Sequence, residues 1–453
     1  MKQKTDHELE NDLNPLHQGT CRVSPSGPLR GTIRVPGDKS ISHRAVMLGA
    51  LAEGETTLRG FLESEDCLAT LHAFQAMGAT WEQQGENLVI QGRGGQGLIE
   101  PDQVIDMGNS GTGSRLLLGI LAGQPFSATL TGDASLRNRP MGRVTQPLAQ
   151  MGARFMGRDQ DRKLPMTVRG GNLKAIEYVS PVASAQVKSA ILLAGLYAEG
   201  TTAVREPALS RDHTERMLKT FGAVLEEEER RTAIAGGQSL KAVTIDVPGD
   251  LSSAAFFLAA AAVVPGSDLT IESVGVNSTR TGMLDVLREM GAEIQILHPR
   301  SYGAEPVADL RIRYQPLRGV RISGETVVRM IDEFPIFAVV AAYAETPSIV
   351  EGAEELRVKE SDRIRAIVEE LGKMGAAMEE RPDGFKVQGG GCLKGADTFS
   401  YGDHRIAMSL TVAGLAAKGD TTVRGTAPIN TSFPGFFSLI KQLCLESVRE
   451  ESS

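Results

Sequence analysis

Apolar and polar residues follow one order along this chain, and that order is written six times. A polar or charged opening leads into an apolar run rich in Ala, Leu and Gly, then a short turn, then a strand. The first copy runs from Lys39 through GALAEGETTLRG, and the third from Ser184 through LAGLYAEGTTAVRE. The fourth runs from Ser252 through AAAVVPGSDLTIES, and the sixth from His404 through AGLAAKGDTTVRG. Looser copies start near Asn109 and near Asp332. The turn positions Gly54, Gln124, Gly200, Gly266, Thr346 and Gly419 are 70, 76, 66, 80 and 73 residues apart. The longest aliphatic stretch, Ala254–Val264, is too short to cross a bilayer and predicts a buried helix.

A second helix is predicted after each such strand, usually with a glycine stop: AMGA at Gly78, QMGA at Gly152, TFGA at Gly222, EMGA at Gly291 and KMGA at Gly375. Alternating stretches such as NLVIQG, LPMTVRG, ADLRIRY and FKVQG add strands, so a unit holds two helices and about four strands. The sixth copy stops at its second helix, Pro434–Leu445, with no chain left for closing strands. Cys21–Val23 and Thr32–Val35 supply what is missing, so the N-terminus is expected to complete the sixth unit. One domain is then discontinuous, made of residues 1–36 plus 249–453 and carrying units four to six. An inserted domain, 37–248, carries units one to three. VPGD occurs at Val35–Asp38 and again at Val247–Asp250, where this scheme makes the chain cross and where a hinge is expected.

Composition narrows the function. At 453 residues the chain exceeds the size at which one core keeps growing. The polar segment 1–20 lacks the apolar centre of a secretory signal and is expected to fray. Cys21, Cys67, Cys392 and Cys444 are scattered without CxxC spacing, against a zinc site or disulfide framework and in keeping with a reducing cytoplasm. A net charge of −8 disfavours nonspecific nucleic-acid binding. An anionic substrate must therefore meet a local cluster of cations.

Such a cluster lies at the predicted helix starts. PGDKSISHR, Pro36–Arg44, puts Lys39, Ser40 and Arg44 on an opening turn, where free N–H groups and the dipole favour anions and Ser40 is placed to cap. Charge-assisted hydrogen bonds from Lys39 and Arg44 would each be worth about 1.5–3 kcal/mol; the bland alternative is a capped surface helix. Other starts carry Asn109–Gly113 with Arg115, Ser184 and Gln186, Ser252 and Ser253, Asp332 and Glu333, and Asp403, His404 and Arg405. RNRPMGR adds Arg139, extended because Pro140 follows. SRDHTERM adds Arg211 at the start of a second helix. RVKESDRIRAIVEEL sets Lys359 and Arg363 four apart, with Glu360 three before Arg363. Lys39, Arg44, Arg139, Arg211, Lys359, Arg363 and Arg405, seven cations against Asp332 and Glu360, suit one or two small polyanions, with the two carboxylates as candidates for proton transfer. No Walker A loop, dinucleotide fingerprint, GxSxG elbow or metal-ligand spacing is present.

The motifs PGDKSISHR, GNSGTGSR, GDASLRNRPMGR, ASAQVKSA, LSRDHTERM, MIDEFP, LRVKESDR and GDHRIAM, in this order over about residues 21–445, resemble those of the 5-enolpyruvylshikimate-3-phosphate synthase family. The resemblance implies an inside-out α/β barrel of two domains, each three βαβαββ-like units, with the active site in the interdomain cleft. It implies a cytoplasmic, monomeric transferase needing neither metal nor organic cofactor, with no nucleic-acid or membrane partner. The implied reaction joins the enolpyruvyl group of phosphoenolpyruvate to the 5-hydroxyl of shikimate 3-phosphate and releases phosphate. Carried over by motif, Lys39, Ser40, Arg44, Ser184, Gln186, Arg211, Asp332 and Lys359 would bind shikimate 3-phosphate. Lys39, Gly111, Arg139, Gln186, Arg363 and Arg405 would bind phosphoenolpyruvate. Asp332 would accept the hydroxyl proton and Glu360 would protonate the methylene carbon, with Lys39 sharing proton traffic or stabilising charge.

Three positions depart from the commonest bacterial pattern: Thr431 stands where lysine is frequent, Ala185 where serine is frequent, and Leu116 where proline is often seen. These variants resemble a divergent class associated with glyphosate tolerance, while Gly111 keeps the small residue that leaves room for that inhibitor. A sibling UDP-N-acetylglucosamine enolpyruvyl transferase and a noncatalytic sugar-phosphate binder are the competing readings. The first is disfavoured because no cysteine lies between Cys67 and Cys392, the second because Asp332 and Glu360 are both present.

Overall fold

A computed structural model describes residues 19–444 and 447–451. The fraying expected for residues 1–20 falls outside it except at Gly19 and Thr20. The principal helices are α1 (Lys39–Leu51), α2 (Glu65–Ala76), α3 (Gly111–Ala122), α4 (Gly142–Gln150), α5 (Ala185–Gly195) and α6 (His213–Thr220). They continue as α7 (Leu251–Val263), α8 (Gly282–Glu289), α9 (Phe334–Tyr343), α10 (Arg363–Lys373), α11 (His404–Ala416) and α12 (Phe436–Leu443). Odd and even members differ as their sequences require. The odd helices are interior and buried on nearly every side; every one of the 13 residues of α7 is buried. The even helices are two-faced: α10 buries Ile364, Ala366, Ile367 and Leu371 and leaves Arg365 in solvent.

Six four-stranded sheets flank these helices in one repeated order. In the second, third, fifth and sixth units a short strand just before the odd helix runs parallel to the strand after it, as a helical crossover demands; in the first and fourth that place is taken by Thr244–Asp246 and Arg30–Arg34, distant in sequence. An antiparallel pair completes each sheet, supplied after the even helix in all units but the sixth, where Thr20–Val23 provides one of the two strands. In the second unit these strands are Ile105–Asp106, Ser127–Thr131, Lys163–Arg169 and Arg154–Gly157, with Met166 opposite Leu130 and Val168 opposite Ala128. The glycine stops after α2, α4, α6, α8 and α10 all take left-handed backbone, with φ of 92° at Gly78, 114° at Gly152, 91° at Gly222, 103° at Gly291 and 91° at Gly375.

The chain divides into two compact units. One takes the residues up to Val35 with Gly249–Pro299 and those from Val307 onward; the other takes Pro36–Pro248 with Arg300–Pro306. The second boundary set differs from a simple crossing at the VPGD segments, because Arg300–Pro306 groups with the inserted unit. There Glu305 Oε1 meets His213 Nδ1 at 2.7 Å, and Arg216 Nη1 donates to the carbonyl of Ala304 at 2.8 Å. Each unit has its own core, with α3 against α5 in one and α7, α9 and α11 together in the other. The approach of α3 to α5 is close: a Cβ on Gly119 would lie 2.2 Å from the carbonyl oxygen of Ala190.

Two sequence expectations are corrected here. The N-terminal strands do not both close the sixth unit. Thr20–Val23 does, pairing with Thr421–Arg424, but Arg30–Arg34 lies parallel to Asp268–Gly275 in the fourth sheet. The remaining place in the sixth sheet is filled by Val448–Glu451, which follows the predicted last helix. VREE is too polar and short to read as a strand, and it forms because Thr20–Val23 offers it a paired edge. The last helix itself spans Phe436–Leu443, inside the predicted Pro434–Leu445, of which Leu445 lies outside the described residues.

Candidate active site

In the inserted unit, the starts of α1, α3 and α5 share side chains. Ser40 is not the cap of α1. Asp38 takes that role, accepting from the Ile41 amide at 2.9 Å, and Ser40 is the second helical residue, half-exposed. Asp250, the last residue of the other VPGD, caps α7 in the same way, accepting from Ser252 N at 2.7 Å. Lys39 opens α1 and pairs with Asp66 in the first turn of α2. Arg44 is 3% exposed and donates to three neutral oxygens: Thr214 Oγ1 at 2.6 Å, Ser189 Oγ at 2.9 Å and the Ser40 carbonyl at 2.9 Å. Burial pulls its guanidinium down to about 10, with Glu215 and Asp38 acting in the opposite sense. His43 is held neutral, well below the usual imidazole range, by burial and then by the charges of Lys39 and Arg44.

Ser110 caps α3 through Gly113 N at 3.0 Å, and Ser184 caps α5 through Val187 N at 3.5 Å. Arg115 Nη1 donates to Gln186 Oε1 at 2.9 Å and Gln186 Nε2 to Thr112 Oγ1 at 2.9 Å, which fixes the amide at the start of α5. Arg139 is extended, as its following proline implies, with φ −72° and ψ 144°. It is 7% exposed and donates to the Asn109 carbonyl at 3.3 Å and to the Asn109 side chain. Gly111 lies beneath this pair of arginines: an added Cβ would stand 2.9 Å from Arg139 Nη1 and 3.0 Å from Arg115 Nη1. Arg211 precedes Asp212, the cap of α6, so it lies just outside that helix.

In the other unit, the starts of α9, α10 and α11 gather around Arg363. This arginine is 1% exposed and meets Asp403 Oδ2 at 2.8 Å, Glu360 Oε2 at 2.6 Å and Asp332 Oδ1 at 3.5 Å. Burial alone would favour the neutral guanidine, but Asp403, then Glu360 and Asp332, outweigh it and hold Arg363 charged above its ordinary range. Lys359 Nζ stands 3.6 Å from Asp332 Oδ1. Lys359 and Glu360 do not share the helix with Arg363, as the i, i+4 spacing suggested. They precede its cap, Asp362, after the 3-10 turn Glu354–Val358. Asp403 caps α11 through the Arg405 amide at 2.9 Å, while the partly buried Arg405 side chain has no hydrogen-bond or ion-pair partner among the described residues. Thr431 turns inward, its Oγ1 donating to the Pro428 carbonyl at 2.8 Å.

Sequence reasoning missed Asp66, the partner of Lys39, and a buried ionic group beside Arg44. Lys188, 3% exposed, lies 2.8 Å from Glu206 and 2.7 Å from Glu215; burial alone would lower it, but the two carboxylates outweigh that and keep it charged. The signal was present, because a lone lysine in the apolar run AQVKSAILLAG must find an anion if it is interior.

Six α/β repeats, with buried arginines and carboxylates at or near their helix starts, define a two-unit α/β protein of a class suited to small polyanions. The chain belongs to the family described as EPSP synthase (3-phosphoshikimate 1-carboxyvinyltransferase), whose model matches residues 23–440. A relative named 3-phosphoshikimate 1-carboxyvinyltransferase, from Desulforamulus reducens, is 56% identical over 425 residues, covering 94% of this chain and 99% of its own. One of the same name from Citrifermentans bemidjiense is 55% identical over 419 residues, covering 92% and 98%. A solved EPSP synthase structure from Acinetobacter baumannii superposes with a TM-score of 0.86 at 44% identity, covering 96% of this chain and 100% of that one. The fold is thus the two-domain α/β fold of that family.

Proposed function

We propose that the side chains gathered in the two units serve one reaction, the transfer of the enolpyruvyl group of phosphoenolpyruvate to the 5-hydroxyl of shikimate 3-phosphate. The family and its named relatives support this shikimate-pathway activity and do not favour a UDP-sugar acceptor or a passive binder. The observation that carries the binding part is Arg44. Its three hydrogen bonds all go to neutral oxygens, so a buried positive charge stands without a carboxylate of its own. Such a charge is stabilised when an anionic ligand arrives. Arg44, with Lys39, Ser40, Ser184, Gln186, Arg211, Asp332 and Lys359, is assigned to shikimate 3-phosphate. Arg139, Gln186, Arg363 and Arg405, with Lys39 and Gly111, are assigned to phosphoenolpyruvate.

In the first half-reaction the acceptor oxygen bonds to C2 of phosphoenolpyruvate, Asp332 takes the hydroxyl proton, and Glu360 delivers a proton to C3. The product is a tetrahedral adduct with a new methyl group. In the second half-reaction the C2–O bond to phosphate breaks, phosphate leaves with the bonding pair, and Glu360 takes a proton back from the methyl group, which restores the enol ether. Arg363 holds Glu360 and faces Asp332, so it orients both carboxylates while binding anion. Lys39 stabilises the charge that develops on oxygen.

Phosphate release from phosphoenolpyruvate is the test, run with shikimate 3-phosphate, with UDP-N-acetylglucosamine and with neither. Release that needs shikimate 3-phosphate is expected; release only with the UDP sugar, or binding without release, rejects the assignment. Asp332→Ala is expected to abolish turnover while shikimate 3-phosphate still binds, and undiminished turnover removes Asp332 from the mechanism. The same reading makes the enzyme a cytoplasmic monomer that needs no metal or organic cofactor. The four free thiols accord with a reducing compartment, and no helix among the described residues is long and apolar enough to cross a membrane. Mass measurement in solution and assay after exhaustive chelation check these points.

A further inference from the structure

Glu333 is a buried carboxylate that the proposed reaction does not use. It is 2% exposed and forms the N-cap position of α9, next to Asp332. Its Oε1 accepts a hydrogen bond from Ser252 Oγ. Ser252 Oγ in turn accepts from Arg280 Nη2 at 2.7 Å, and the same nitrogen stands 3.3 Å from Asp250, the cap of α7. Glu333 Oε2 is buried and has no hydrogen-bond partner among the described residues. A carboxylate with one oxygen left so is an expensive way to hold two helices together, and an apolar pair would pack at lower cost.

The neighbouring residue shows what the link achieves. The peptide of residues 332 and 333 is fastened on two sides: Glu333 reaches α7, whereas Asp332 faces Lys359 at 3.6 Å and Arg363 at 3.5 Å. Its turn is closed by the Glu333 amide donating to the Met330 carbonyl at 2.9 Å, and it leads straight into α9 through Phe337 N to the Glu333 carbonyl at 2.9 Å. We infer that Glu333 is a positioning residue, which through Ser252 and Arg280 fixes the turn that carries Asp332. Without that anchor the turn is held only from the Lys359 and Arg363 side, and Asp332 is no longer a proton acceptor set at one fixed place.

The inference rests on Asp332 accepting the proton, so Asp332→Asn is measured beside Glu333→Ala, Glu333→Gln, Ser252→Ala and the double variant Ser252→Ala/Glu333→Ala. Steady-state kinetics, equilibrium binding of shikimate 3-phosphate and thermal midpoints are recorded for each. A misplacement of about 1 Å costs about a hundredfold in rate, and Glu333→Ala is expected to lose roughly that in kcat. Its affinity for shikimate 3-phosphate should stay within about twofold. Glu333→Gln, which keeps an acceptor for Ser252, should recover most of the rate. Ser252→Ala should match Glu333→Ala, and the double variant should be no slower than either. An unchanged kcat in Glu333→Ala, a Gln variant as slow as Ala, or kcat and affinity falling together with the thermal midpoint would each overturn the inference. If Asp332→Asn keeps its rate, the base assignment fails; if it collapses while Glu333→Ala does not, only the positioning role fails.

Discussion

Arg44 and Arg363 are both buried arginines, yet their direct partners differ in charge. Arg363 has its own carboxylates, whereas Arg44 has hydroxyls and a carbonyl. Replacing Arg44 by Met is therefore expected to raise the KM for shikimate 3-phosphate with less effect on phosphoenolpyruvate, read from the two substrate titrations. At Gly111, Ala would press on Arg139 and Arg115, so the KM for phosphoenolpyruvate should rise roughly tenfold or more while shikimate 3-phosphate binding holds. Lys188→Met leaves Glu206 and Glu215 buried without their cation and is expected to cost about 3–5 kcal/mol, measured by urea unfolding. The motif residues Arg139, Asp332 and Arg363 were legible in the sequence because their neighbours are unusual for plain helix starts. Asp66 was not, because a partner supplied from a different helix leaves no spacing to read, and although Lys188 signals its own need for an anion, nothing in the spacing points to Glu206 and Glu215 as its partners. Asp38 took the cap from Ser40 because its side chain sits one residue before the helix, where the free amides point.

Among elements, glycine serves two distinct purposes, and substitution separates them. Gly375 takes φ 91° with nothing within 4 Å of an added Cβ, so Ala there meets only the backbone penalty, about 1–2 kcal/mol. Asn should recover part of that loss. Gly119 has ordinary helical backbone but faces the Ala190 carbonyl, so Ala must push α3 from α5 and should cost more than Gly375→Ala in the same unfolding assay. The repeat of odd interior and even two-faced helices was readable because apolar residues surround the first kind and stripe the second. Helix α10 starts later than its charge spacing implied, since the Asp362 cap and the 3-10 turn before it interrupt the ladder. The Val448–Glu451 strand was invisible for a different reason: its partners lie at the other end of the chain.

For the whole molecule, acid sensitivity should have an identifiable source in the inserted unit. Burial alone would raise the Glu305 carboxyl, but the charge and hydrogen bond of His213 outweigh it and hold the group below its ordinary 4.5. The unfolded chain then binds more protons than the folded one, so this contribution is complete above pH 4.5 and fades as pH falls through the lower folded value. Glu305→Gln should flatten that part of the stability–pH curve, measured by urea unfolding at stepped pH. Removing Thr20–Val23 should be far more damaging, since the strand lies between Thr421–Arg424 and Val448–Glu451 and its loss exposes two edges. A final consequence concerns order in time. The ribosome has delivered all four strands of each sheet around α1, α3 and α5 once Asp246 has emerged, whereas Thr20–Val23 waits for Val448–Glu451. Nascent chains halted midway should already protect the central unit from protease, while Thr20–Val23, the first of the described strands to be made, is among the last to find its neighbours.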